Sequence, residues 1–114
     1  MHEVINKYGK GGCFFIAEIG NNHQGDLSIA KEMVLSAKTA GANAVKFQKR
    51  NNKSLMQPFL ANQIYNNRNS FGKNYLKHRE AIELSFQEFT ELKAFCDFNK
   101  ILFFATPFDE ESLE

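Results

Sequence analysis

The stretch FIAEIGNNHQGDLSIAKEMVLSAKTAGANAVKFQ, residues 15–48, decides the fold of this 114-residue chain. It continues a short apolar run, Cys13 to Ile19, whose β-branched and aromatic character reads as a strand covered on both faces, as in parallel sheets. Gly20 to Gly25 interrupts the run with turn chemistry, and Asp26 is placed to cap a following helix by accepting from its free N–H groups. Leu27, Ala30, Val34, Ala37 and Ala40 recur at helical spacing, and Ile29 and Met33 widen that stripe. Gly41 stands where a left-handed helix end is usually required. Asn43 to Gln48 is then a second strand. Strand, capped helix and strand make a βαβ unit with a right-handed crossover.

Outward from this unit, residues 49–80 form a long connector rich in Asn, Lys and Gln, a length that usually carries function. A short helix is expected within it around Phe59 to Tyr65. Ser85 and Glu88 form a capping box, and Phe86, Phe89, Leu92, Phe95 and Cys96 continue as an apolar helical stripe. Ile101 to Thr106 is a third buried strand, stopped by Pro107, and Asp109 to Glu114 reads as the start of another helix. Cys13 and Cys96 both lie in apolar segments and are expected to be buried, unpaired thiols of a reducing compartment.

Composition excludes several classes of function. Hydrophobic residues make up 43% and charged residues 24%, ordinary values for a globular protein. A formal net charge of +1 leaves no footprint for nucleic acid or an anionic membrane surface. No apolar run has the length of a membrane span, and the polar start lacks a signal peptide's apolar core, so a cytoplasmic protein is expected. Neither G-x-G-x-x-G nor a P-loop occurs, which leaves dinucleotide and ordinary nucleoside-triphosphate binding without support.

The alternation of strands and helices calls for an α/β protein with helices over a parallel sheet. A flavodoxin-like or Rossmann-like sheet fits the alternation as well as a barrel does. The strand ends favour a (β/α)8 TIM barrel, because polar residues gather there: Glu18 with Asn21, Asn22 and His23; Lys46 and Gln48; Thr106 and Asp109. A barrel takes about 250 residues, so this chain would hold its first three βα units as a truncated N-terminal portion. Lys46 and Gln48 share a side of their strand, the interior of a barrel. An interior lysine calls for an anion, either a substrate phosphate or carboxylate or the side chain of Glu18. Glu18, placed within a strand, is either that ion-pair partner or an acid, base or orienting group. Thr106 offers a hydroxyl donor at a rigid turn. His23 has no second ligand at metal-binding spacing and is read as a surface residue or a hydrogen-bond partner in its loop. His78-Arg79-Glu80 is either a solvated face or a substrate contact.

The stretch at residues 15–48, with FGKNYLKHREAIELS at 71–85 and FFATPFD at 103–109, resembles the N-acetylneuraminate (sialic acid) synthase family. The resemblance rests on AEIG-x-NH-x-G, KFQ and TPFD in combination. It covers nearly the whole chain but only the first part of the family's barrel, before the rest of the barrel and an antifreeze-like C-terminal domain. It implies condensation of phosphoenolpyruvate with an open-chain N-acetylmannosamine-like sugar, giving a nonulosonic acid and phosphate, in a homodimer when full length. It further implies Mn²⁺ or Mg²⁺ as a Lewis acid, with ligands outside this chain. By position, Lys46 matches the lysine that binds phosphoenolpyruvate and Thr106 a donor to its phosphate. Glu18 matches the carboxylate near the reacting carbons, and Gln48 and Phe108 match residues lining the sugar pocket. Lys100 stands where relatives often have Gly, and Leu76 and Lys77 where they commonly have Gly and Glu.

Two other readings compete. One is a non-catalytic binding or interaction module, against which three parallel strands with unpaired edges argue. The other is a different phosphoenolpyruvate-dependent sugar-phosphate synthase. It would need further cations for a second phosphate, and the sequence offers only Lys49 and Arg50 nearby.

Overall fold

The computed structural model describes residues 12–113. The reading of the polar start at residues 1–11 therefore lies outside the described residues. In chain order the elements are β1 (Ile16–Gly20), α1 (Leu27–Thr39), β2 (Ala44–Lys49), α2 (Asn52–Leu55), α3 (Pro58–Ala61), α4 (Tyr75–Ala81), α5 (Phe86–Phe98) and β3 (Leu102–Pro107). The strands form one parallel sheet in the order β1-β2-β3. Consecutive order excludes the flavodoxin-like 2-1-3 arrangement. It is shared by a barrel and by the first half of a Rossmann sheet.

Capping and periodicity account for the two long helices. The Asp26 carboxylate accepts from Ser28 N at 2.7 Å and Ile29 N at 3.1 Å, which starts α1, and Ala30 and Val34, one turn apart, are fully buried. Gly41, at φ +92°, turns the chain out of α1 toward β2. The capping box at Ser85 and Glu88 starts α5, whose Leu92 and Cys96 repeat the one-turn spacing on its buried side. Both helices pack on the same side of the sheet and touch each other. There Val45 and Phe47 of β2 meet Val34, Leu92 and Cys96, and Phe47 stacks edge-on against Phe89 with centroids 6.3 Å apart. This single layer of contact is the core.

Four expectations need correction. Cys96 is buried, but Cys13 is exposed, since it precedes β1, which begins only at Ile16. The strands are covered on one face only. On the other, Ile16, Leu102 and Phe104 are 49%, 47% and 39% exposed. The connector is largely ordered, with α2, α3 and α4 inside it, and the expected helix at 59–65 is the single turn Pro58–Ala61. Residues 109–113 make hydrogen-bonded turns rather than a helix, with Asp109 accepting from Asn51 N and Ser112 N.

The connector is organised around His78. Its ring packs 4.5 Å from Tyr65 and 5.9 Å from Phe71, and its Nδ1 accepts from Phe71 N at 3.1 Å. His78 is buried and so does not belong to a solvated face. Gly72 permits this packing: a Cβ there would stand 2.5 Å from the His78 backbone nitrogen.

Candidate active site

Strand register brings the polar strand-end residues onto one face. Glu18 is level with Lys46, and Gln48 with Thr106, in neighbouring strands. Because side chains alternate, Lys46 and Gln48 rise from the side opposite Val45 and Phe47, away from the helices. The Lys46 ammonium lies 2.7 Å from the Glu18 carboxylate, with both side chains partly open to solvent. An exposed pair of this kind contributes little to stability, about 0–1 kcal/mol, and can be exchanged for a ligand's charges. Gly20, at φ +56°, follows an irregularity in the β1 ladder, and a Cβ there would sit 3.5 Å from Gln48 Nε2 and 3.7 Å from Glu18 Oε1. The missing side chain keeps a gap between the carboxylate and the amide.

Beyond the strand ends, Phe108 lies under the Arg50 guanidinium, 3.9 Å from ring centroid to Cζ, and its backbone N–H donates to Lys49 O. Arg50 Nη2 donates to Gln48 Oε1 at 2.7 Å. A third tie centres on Glu83. Its carboxylate accepts from Asn21 Nδ2 at 3.0 Å and from Arg50 N at 3.4 Å, and stands 3.6 Å from Lys49 Nζ. This carboxylate joins the loops after β1 and β2 to the end of the connector. Sequence reasoning missed Glu83 and considered Arg50 only as a cation for a second phosphate. The Lys46-Gln48-Arg50 alternation was the available signal for the latter; for Glu83, far off in sequence, there was none.

His23 is almost wholly buried, against Phe47. Its Nδ1 accepts from Gly25 N at 3.0 Å, so the neutral ring carries its proton on Nε2, which has no hydrogen-bond partner. Burial lowers its pKa against the opposing pull of Glu88 and Asp26. Asn21 Oδ1, Arg50 Nη1 and Asn52 Oδ1 are likewise buried without partners, so these polar atoms all belong to the two segments leaving β1 and β2. A cavity of about 710 Å³ opens beside Lys49, Arg50, Glu83 and Phe89, on the helix side of the sheet. Glu18, Lys46 and Gln48 do not line it. No group of three or more His, Cys, Asp or Glu among the described residues stands together to hold a metal ion.

A parallel α/β sheet with cations, a carboxylate and amides gathered at the carboxyl ends of its strands has the arrangement in which α/β folds place their ligand sites. The chain belongs to the NeuB family, which matches residues 33–114. It is 40% identical over 112 residues to the N-acetylneuraminate-9-phosphate synthase of Mus musculus, a match covering 93% of this chain and 30% of that protein. It is 38% identical over 103 residues to the N,N'-diacetyllegionaminic acid synthase of Legionella pneumophila, covering 90% of this chain and 29% of that one. Among solved structures, the N-acetylneuraminic acid synthetase of Leptospira borgpetersenii in complex with citrate is similar at a TM-score of 0.66 and 38% identity. That likeness covers 88% of this chain and 30% of the Leptospira chain. The chain thus spans under a third of the length of these relatives.

Proposed function

We propose that this chain forms the first three βα units of a (β/α)8 synthase barrel that joins phosphoenolpyruvate to an open-chain N-acetylmannosamine-like sugar. The observation that carries this reading is the Glu18–Lys46 pair, 2.7 Å long, beside Gln48 and Thr106 at the carboxyl ends of parallel strands. In the reaction, C3 of phosphoenolpyruvate attacks the aldehyde carbon, forming the new C–C bond. Water adds at C2, and breaking the C2–O bond to phosphate leaves a 2-keto acid. The aldehyde oxygen takes up one proton to become a hydroxyl.

Each residue has a role its chemistry suits. Lys46 offers a compact positive charge to the carboxylate or phosphate of phosphoenolpyruvate, exchanging its exposed pairing with Glu18 for the ligand. Thr106 donates its hydroxyl to a phosphate oxygen. Glu18, released from Lys46, is a carboxylate beside the reacting carbons and can accept or return a proton there. Gln48 and Phe108 bound the sugar. A bound Mn²⁺ or Mg²⁺ would polarise the aldehyde, and we assign its ligands to segments outside this chain. No described helix is long and apolar enough to cross a membrane. We assign the whole enzyme to the cytoplasm, as a homodimer that binds neither nucleic acid nor membrane.

The full-length enzyme, incubated with phosphoenolpyruvate and Mn²⁺, should release phosphate only when an N-acetylated amino sugar is added. N-acetylmannosamine, its 6-phosphate and bacillosamine-derived sugars form the test panel, and mass spectrometry of the product identifies the acceptor. Absence of a nonulosonic acid with every sugar would sink the proposal.

A further inference from the structure

Past the end of β2, the Arg50 guanidinium reaches back to Gln48, which stands with Lys46 on the open face of the sheet. Arg50 is held in two ways, by the 2.7 Å bond from Nη2 to Gln48 Oε1 and by its stack over Phe108. A guanidinium has donors and no acceptor, so the oxygen end of the Gln48 amide must face Arg50. The Nε2 end then turns the other way, toward the space over Gly20 that Glu18 Oε1 also borders. Unaided, this amide has little reason to keep that orientation, because its last torsion is broad and roughly two-fold. The Arg50 charge is also unspent. Lys46 is paired with Glu18 and Lys49 with Glu83, whereas no carboxylate pairs with the Arg50 guanidinium among the described residues.

Resting on the function proposed above, we propose that Arg50 is a positioning residue that locks the Gln48 amide with its N–H donors toward the substrate. Gln48 then recognises an oxygen acceptor on the sugar, a carbonyl or hydroxyl oxygen, and disfavours a donor in the same place. The stack on Phe108 couples the ring at the mouth of the site to the same guanidinium. This assignment differs from a phosphate-binding role for Arg50: its effect falls on the sugar through a neutral amide, and not on phosphoenolpyruvate.

The test uses the full-length enzyme. Arg50→Met should raise KM for the acceptor sugar about tenfold and leave KM for phosphoenolpyruvate within about twofold. Arg50→Lys keeps a donor for Gln48 Oε1 and should recover most of the loss; it also serves if the methionine variant fails to fold. Gln48→Ala and the Gln48→Ala/Arg50→Met double variant should be nearly equal, because Arg50 acts through Gln48. An equal rise in both KM values, or additive losses in the double variant, would overturn the proposal. A readout free of turnover is the side-chain amide signal of Gln48 in ¹⁵N-glutamine-labelled protein, which should shift in Arg50→Met. An unmoved signal overturns the inference even in an active enzyme. A moved signal in a protein that makes no nonulosonic acid supports the positioning role and counts only against the functional reading.

Discussion

In the proposed reaction Lys46 has the central role, because its partner is a partly exposed carboxylate that an anionic substrate would displace. In the full-length enzyme, Lys46→Ala should raise KM for phosphoenolpyruvate and lower kcat, each by about tenfold or more, the worth of a charge-assisted hydrogen bond. Steady-state kinetics with each substrate varied in turn checks it, and an unchanged KM for phosphoenolpyruvate removes Lys46 from the anion site. The two cysteines give a second contrast. Burial pushes the Cys96 thiol up to about 11, while Cys13 is exposed. Iodoacetamide at neutral pH should therefore label Cys13 and spare Cys96, as peptide mass mapping would show. Glu18, Lys46, Gln48 and Thr106 could be placed from sequence because strand alternation fixes their side. Cys13 could not, because an apolar run does not say where pairing begins. Arg50 was passed over because it stands beyond the strand end, where the period of two carries less weight.

The connection between α5 and β3 shows how an element tolerates the wrong residue at a turn. Lys100 takes φ +56°, a left-handed conformation that glycine adopts at little cost. A side chain there costs about 1 kcal/mol, so Lys100→Gly should stabilise the protein by that amount, less the added freedom of the unfolded chain. Chemical denaturation measures it. The opposite change is expected in the connector. Gly72→Ala would bring a methyl group against the His78 backbone and should destabilise by about 1–3 kcal/mol. Two histidines link these loops to pH. Burial lowers the pKa of His78, helped by the Arg79 charge, and burial lowers that of His23. Both rings accept an N–H bond at Nδ1 and so are needed neutral. Below the ordinary histidine pKa the unfolded chain binds more protons than the fold, so their stabilisation is complete above about pH 6.5 and falls on acidification. The melting temperature should drop between about pH 7 and 5. His78→Gln, which keeps an acceptor without titrating, should flatten that drop; an unchanged slope would show that His78 does not titrate with folding.

At the scale of the whole molecule, the sheet has a helix-covered face and an open one. Among the described residues, three parallel strands in consecutive order leave β1 and β3 as the edges of the sheet. The radius of gyration is 16.1 Å. A compact domain of this length would have about 13 Å. The open face combines the polar residues at its carboxyl end with Phe104, level with Lys46, and with Ile16 and Leu102 lower down, a pattern suited to a barrel interior, where side chains pack in layers. This is the part of the architecture that periodicity alone left undecided, since a buried parallel strand has the same sequence whichever sheet it joins. The consequence can be measured by comparing the 114-residue chain with the full-length enzyme. If the open face is a barrel interior, the short chain should release no phosphate with phosphoenolpyruvate, Mn²⁺ and N-acetylmannosamine. It should also bind the dye ANS strongly and self-associate in sedimentation experiments. Leu102→Lys and Phe104→Lys together should then reduce dye binding and association in the short chain, where these side chains face water. In the full-length enzyme the same pair should prevent folding, because each would bury an unpaired charge. A short chain that is monomeric, dark to ANS and indifferent to both lysines would mean that the sheet stands on its own, and the barrel reading would fall with it.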